Sequence, residues 1–280
     1  MQRFLSGLSI LSLGLFLGTF VLFALPQGCR RPPEIARPTK TVLFIGNSLT
    51  FVNDLPNTFV QLSASGGHSV QVDSHTPGGW SLAQQAASPG AYAKLLGHNW
   101  DFVVLQEQSI LPALDDHRLK DMYPAVRTLN TVIREKGSTP LLYLTFGRRD
   151  GYPEGGMKDF ESVQERLNQG YMGIAQELSI GIVPVGPAWK TAHERKPELG
   201  LWSGDGIHPA PAGTYLAACV FYCTIYGESP EGLAYRADSS EGDARFLQQV
   251  AAETVLHDLR RWAPRSYSMP AVSATTVTLR

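Results

Sequence analysis

A chain of 280 residues, 43% hydrophobic and 18% charged, carries enough apolar material for one α/β domain with terminal extensions, which excludes a wholly disordered chain. A formal net charge of −1 gives no bulk attraction to nucleic acid, and no nucleic-acid partner is expected. Three cysteines are too few for a disulfide scaffold.

The chain opens on Arg3 and an apolar stretch from Phe4 to Leu25 interrupted only by Ser, Gly and Thr, followed by Pro26-Gln27-Gly28-Cys29 and the basic run Arg30-Arg31-Pro32-Pro33. Residues 1–28 read as a signal or membrane-anchor segment and residues 29–40 as a linker. The stretch exceeds the roughly 7–15 residues of a signal-peptide core and reaches the roughly 20 that cross a bilayer, so cleavage and retention both stand as readings. The expected location is exported: the cell envelope, periplasmic or extracellular, with membrane contact through this segment or a lipid. Cys29 follows Gly28 where a bacterial lipoprotein carries its acylated cysteine, but Pro26 takes the place of the usual leucine. Lipidation, a plain signal peptide and an uncleaved anchor are the three alternatives.

From residue 41 onward, apolar strand-like runs alternate with longer helix-like runs, the pattern of a parallel α/β sheet. Strands are predicted at 41–45, 69–74, 102–105, 140–145 and 180–183. Helices are predicted from a cap at Asp54 to Gly66-Gly67, then at 81–96, 119–136, 160–178 and 211–226, with a closing amphipathic helix at 241–262. The folded domain is thus 41–262, without internal repeat, and the Ser-, Thr- and Pro-containing tail 263–280 reads as mobile. Cys219 and Cys223 fall in one apolar helical run and read as buried thiols on one face. A bridge inside a regular helix is strained, and no histidine or second cysteine pair accompanies them, so no metal site is expected.

Ligands of open parallel sheets bind beyond the carboxyl ends of the strands, so the loops that follow the predicted strands are where chemistry is sought. Gly46-Asn47-Ser48-Leu49-Thr50 leaves a buried strand by a glycine-containing turn that would expose Ser48; a serine there is also a common cap. Pro77-Gly78-Gly79-Trp80-Ser81 offers backbone N–H groups a close approach to a ligand, or simply a tight turn. Leu105-Gln106-Glu107-Gln108-Ser109 sets polar groups directly after an apolar strand. In Ser203-Gly204-Asp205-Gly206-Ile207-His208-Pro209 a carboxylate precedes an imidazole by three residues in a glycine-rich loop before a late helix, which could return His208 to the sheet edge near Ser48 with Asp205 behind it.

Taken in order, these four blocks resemble the SGNH (GDSL-like) hydrolase family, in its branch with GNSLT and LQEQS motifs, over nearly everything from Thr41 to Tyr226. The resemblance implies a three-layer α/β/α flavodoxin-like parallel sheet and ester hydrolysis by a serine without cofactor. It implies Ser48 as nucleophile, His208 as its base and Asp205 as the group that fixes the imidazole tautomer. The backbone N–H groups of Ser48 and Gly79 would face the oxyanion, joined by an amide side chain, for which Gln108 is the choice and Gln106 its competitor. Asn47 stands where the family usually has aspartate, and glutamine where it has Gly-x-Asn.

O-acyl esters, with O-acetyl groups on carbohydrate favoured, are the expected substrates, and a small molecule or glycan ester the expected partner; Trp80 and Trp202 read as a stacking platform or as cleft wall. Lipase and thioesterase activities use the same chemistry. A catalytically silent, surface-anchored glycan-binding module is the alternative from another class. Arg148-Arg149-Asp150, after the fourth strand, reads either as a contact for a polar substrate or as a structural salt bridge.

Overall fold

The computed structural model describes residues 38–262. The expectations for the signal or anchor segment, for Cys29, for the linker before residue 38 and for the tail after residue 262 lie outside the described residues. Among the described residues no helix is long and apolar enough to cross a membrane.

Five parallel strands, β1 (Lys40–Ile45), β2 (Val70–His75), β3 (Phe102–Leu105), β4 (Thr139–Tyr143) and β5 (Gly181–Val183), form one sheet in the order β2-β1-β3-β4-β5. The central strands are continuous apolar runs because helices cover both faces, as parallel sheets require. The edge strand β2 is half-buried and carries Asp73, ion-paired with Lys94, which keeps that edge polar.

Besides short 3₁₀ turns, eleven α-helices flank the sheet among the described residues. They are α1 (Ser48–Phe51), α2 (Leu55–Ser65), α3 (Leu82–Ala86), α4 (Pro89–Gly97), the short α5 (Asp115–His117) leading into a π turn at Arg118–Met122, α6 (Tyr123–Glu135), α7 (Phe160–Leu178), α8 (Val185–Arg195), α9 (Pro211–Tyr226), α10 (Glu241–Leu256) and α11 (Leu259–Trp262). Helices α2, α8, α9 and α10 pack together as one layer, and α3, α4, α6 and α7 form the other, giving three layers, α/β/α. Helix α9 is buried nearly all round, as its unbroken apolar sequence demands; Phe221 sits edge-on to Phe44 of β1 and Tyr143 of β4, and Cys219 and Cys223 are free, buried thiols.

Strand ends shift by one or two residues and α8 is not among the expected helices; three further differences have a local reason. The helix expected over 81–96 is two, because Ser88 caps a new helix with Pro89 in its first turn. The helix expected from 119 is helical already from Asp115, with a π turn at Arg118–Met122 running straight into α6 just before Pro124, whose missing N–H interrupts the regular ladder there. The closing helix breaks between Leu256 and Leu259. Asp54 does cap α2, accepting from the Asn57 N–H, and α7 spans the expected residues.

In the order β2-β1-β3 the chain leaves β1 to one side and enters β3 on the other, so a crevice opens at the carboxyl ends of β1 and β3. The registers Ile45↔His75 and Ile45↔Leu105 bring the loops after β1, β2 and β3 to that crevice.

Candidate active site

The turn after β1 is held from below by amides. Gly46 accepts the Gln85 Nε2–H at 2.6 Å through its carbonyl, and a Cβ on Gly46 would lie 2.5 Å from Gln106 Oε1, so only glycine permits this approach. Gln106, 1% exposed, accepts the Asn47 N–H and the Thr50 hydroxyl at 2.9 Å each through Oε1 and donates from Nε2 to Asn47 Oδ1 at 3.0 Å and to the Glu107 carbonyl. Asn47 caps α1 by accepting the Leu49 N–H and donates to the Trp80 carbonyl at 2.8 Å. Ser48 therefore begins a helical turn on a rigid base with its side chain half-exposed.

His208 and Asp205 reach this turn from a closed loop. Residues Trp202 and Pro209 bridge as a short antiparallel pair, Ser203 N donates to the His208 carbonyl at 2.8 Å, and Asn53 Nδ2 donates to the Pro209 carbonyl at 2.8 Å, tying the loop to the end of α1. His208 Nε2 lies 2.9 Å from Ser48 Oγ, and His208 Nδ1 lies 2.6 Å from Asp205 Oδ2. The other carboxylate oxygen, Oδ1, accepts from the Ile207 and His208 N–H groups and the Ser203 hydroxyl. Partial desolvation works to raise the Asp205 carboxyl, but the hydrogen bonds from the His208 ring and backbone, Ser203 and Ile207 prevail and hold it well below the usual carboxylate range. An ionised Asp205 fixes the proton on Nδ1 and leaves Nε2 as an acceptor for the Ser48 hydroxyl.

The remaining sequence-predicted residues stand on loops wired to the Ser48 turn. Gly79 adopts φ +74°, which favours glycine, and neither its N–H nor that of Ser48 has a hydrogen-bond partner among the described residues. Gln108 is half-buried; its Oε1 accepts the Ile110 N–H at 3.0 Å, and its Nε2 makes no hydrogen bond among the described residues. Gln106 differs: both ends of its amide are engaged under the turn, so it has no donor to offer a ligand.

Sequence reasoning missed three supports. Gln85, fully buried, bridges Gly46 to His75. His75 closes β2 by accepting the Gly46 N–H on its carbonyl. Glu107, fully buried, accepts the Leu82 N–H at 3.0 Å and the Gln108 N–H at 2.6 Å on Oε1, while Oε2 is buried without a partner. Burial pushes its carboxyl up to about 7, against the two N–H donors and with the charge of Asp121 adding to the rise. A charged residue two positions after the apolar run 102–105 was the one available signal.

Two flanking readings resolve. Trp202 is not a stacking platform: it is buried against Phe160, Trp189 and His193 and donates its indole N–H to the Gly147 carbonyl, so it belongs to the core. Arg149 pairs with Asp150 and uses its backbone N–H to hold the Gly206 carbonyl at 2.8 Å, bracing the His208 loop, while Arg148 donates to Ser109 Oγ at 3.3 Å and lies over the Tyr152 ring.

No family model matches the chain, and no curated protein matches it. Among solved structures, a protein from Slackia heliotrinireducens assigned as an SGNH hydrolase is 28% identical with a TM-score of 0.55, covering 66% of this chain and 97% of that one. A DUF4886 family protein from Bacteroides uniformis superposes with a TM-score of 0.65 at 18% identity, covering 79% and 96%. Axe2, an acetylxylan esterase from Geobacillus stearothermophilus, does so with 0.53 at 16% identity, covering 65% and 92%. The last two share the fold; the first shares sequence as well along almost its whole length. With that shared sequence laid on a flavodoxin-like sheet, the chain has the fold of the SGNH (GDSL-like) hydrolases.

Proposed function

We propose that the protein is an exported, membrane-anchored or secreted serine esterase whose catalytic domain is residues 41–262, with Ser48 as nucleophile, His208 as general base and acid, and Asp205 as the group that orients the imidazole. The reading is supported by one observation above all, the hydrogen-bonded line from Ser48 Oγ through His208 to Asp205 at 2.9 and 2.6 Å. His208 Nε2 takes the hydroxyl proton as Ser48 Oγ attacks the ester carbonyl, and the imidazolium formed is stabilised by ionised Asp205. As the tetrahedral intermediate collapses, His208 returns the proton to the departing alcohol and an acyl-Ser48 remains. Water, deprotonated by the same imidazole, then releases the acid and restores Ser48. The steps balance without a cofactor.

The backbone N–H groups of Ser48 and Gly79 and the Gln108 Nε2 donors stabilise the oxyanion; their lack of internal partners supports that role. Gln108 is favoured over Gln106 because the Gln106 amide is fully engaged. For the substrate we favour O-acetyl groups on carbohydrate, on the family resemblance and the export reading of residues 1–28; the burial of Trp202 leaves Trp80 as the remaining stacking candidate. The test is labelling of the full-length chain with a fluorophosphonate, followed by peptide mapping and an ester panel from acetyl to palmitoyl p-nitrophenyl esters and acetylated xylo-oligosaccharides. A single adduct on Ser48, absent in Ser48→Ala, with turnover greatest on acetyl esters, is expected. No adduct on the folded chain would make it a non-catalytic glycan-binding domain.

A further inference from the structure

The three loops that carry the candidate oxyanion donors are linked pairwise. Asn47 joins the Ser48 turn to the Gly79 loop through the Trp80 carbonyl. Gln106 joins the Ser48 turn to the loop after β3 through Asn47 and Thr50. Glu107 supplies the third side: its Oε1 accepts the N–H of Leu82, three residues after Gly79, and the N–H of Gln108. Amide side chains serve the first two sides, yet the third is a fully buried carboxylate with one oxygen bare and no cation paired to it among the described residues. Such a group weakens a fold unless something specific needs it, since glutamate is almost never fully buried unpaired. What it does here is bring two backbone donors from different loops to a single oxygen.

We propose that Glu107 is a positioning residue of the oxyanion hole, fixing the Gly79 loop and Gln108 at the mutual distance that the tetrahedral intermediate requires. The proposal rests on the reading of Gly79 and Gln108 as oxyanion donors. Glu107 itself touches no substrate: it acts on the transition state through the groups it holds, so its loss should lower kcat and leave ground-state binding in place.

The test uses the full-length chain, p-nitrophenyl acetate and a trifluoromethyl ketone, whose hemiketal with Ser48 places an oxyanion where the intermediate's would be. Glu107→Ala should lower kcat by about 10²-fold with KM changed by less than about threefold, and ketone affinity should fall in parallel with kcat. Glu107→Gln, which keeps an oxygen acceptor at the same reach, should recover kcat to within about tenfold of wild type. Wild-type kcat in folded Glu107→Ala, a loss of kcat without the parallel loss of ketone affinity, or failure of Glu107→Gln to recover activity would each overturn the proposal. If Glu107→Ala does not fold, Glu107→Asp serves: withdrawing the oxygen by one methylene should lower kcat by at least about tenfold at constant KM, and an unchanged kcat refutes positioning. An inactive wild type, or a Ser48→Ala variant as active as wild type, instead refutes the esterase reading on which this one stands.

Discussion

The Ser48 turn and the Asp205–His208 arm, 2.9 Å apart at their meeting point, are built from opposite materials. The turn is buried, and besides the local Asn47 cap its hydrogen bonds come from residues 29 to 59 positions away: His75, Trp80, Gln85, Gln106. The arm is solvent-exposed, and Asp205 is held by groups two or three positions away in its own loop. Breaking a bond in the turn strands a donor or acceptor away from water, whereas water can replace most partners in the arm. The turn therefore couples chemistry to folding, and the arm separates them.

That contrast breaks most sharply at the arm itself. His208→Ala and Ser48→Ala should each lower kcat by about 10⁴–10⁶-fold and Asp205→Asn by up to about 10⁴-fold, non-additively because the three act as a unit. The melting temperature of the two arm variants should move by no more than a few °C, read by calorimetry alongside the rates; a large drop would show that the arm is structural after all.

Gln108→Ala comes next. Removal of one oxyanion donor costs about 2.7–4 kcal/mol in the transition state, so kcat should fall by about 10²–10³ at nearly constant KM. A full kcat would assign the oxyanion to the two backbone N–H groups alone.

Gln106→Ala tests the turn. It strands the Asn47 N–H and the Thr50 hydroxyl away from an acceptor, and should cost about 2–4 kcal/mol in urea unfolding as well as activity. A variant with native stability and lost activity would mean that Gln106, not Gln108, faces the substrate.

The smallest effect lies in pH dependence. With its carboxyl raised from 4.5 to about 7, folded Glu107 holds a proton that the unfolded chain has released, so stability falls as pH rises across that window. Asp121 and Tyr171 are the titratable groups facing it, and Tyr171, pushed up by burial, stays neutral throughout. Relative to Glu107→Gln, the wild type should lose at most about 3 kcal/mol of unfolding free energy between pH 5 and pH 8. Parallel stability curves for the two proteins would show that Glu107 is ionised over the whole range.

The same contrast decides what the sequence could reveal. The arm was legible because Asp205 and His208 lie three residues apart in one glycine-rich loop. Strand cores were legible from uninterrupted apolar runs, and the carboxyl-edge rule then pointed to the loops after them. The support beneath Ser48 was not, because an amide 59 residues away carries no local mark of the backbone N–H it will accept from. Trp202 illustrates the other limit: an aromatic beside a functional loop looks alike whether it lines a cleft or closes a core, and only the partners Phe160, Trp189 and His193 decide. The helix break at Ser88-Pro89 and the π turn before Pro124 had local signals in those prolines, which apolar periodicity running through them obscured.

Helix α9 gives the molecule a chemical stopwatch. Burial pushes the thiols of Cys219 and Cys223 well above the ordinary cysteine range, so in the native state neither ionises nor meets an alkylating reagent. Because α9 is wedged between α2, α8, α10 and β5, neither sulfur is uncovered until that layer comes apart. Maleimide incorporation at these two positions, resolved from Cys29 by peptide mass, thus counts whole-layer openings, and its rate at fixed temperature is a clock on kinetic stability. Any inactivation by thiol reagents that keeps time with this clock reports lost architecture and implicates no cysteine in the chemistry.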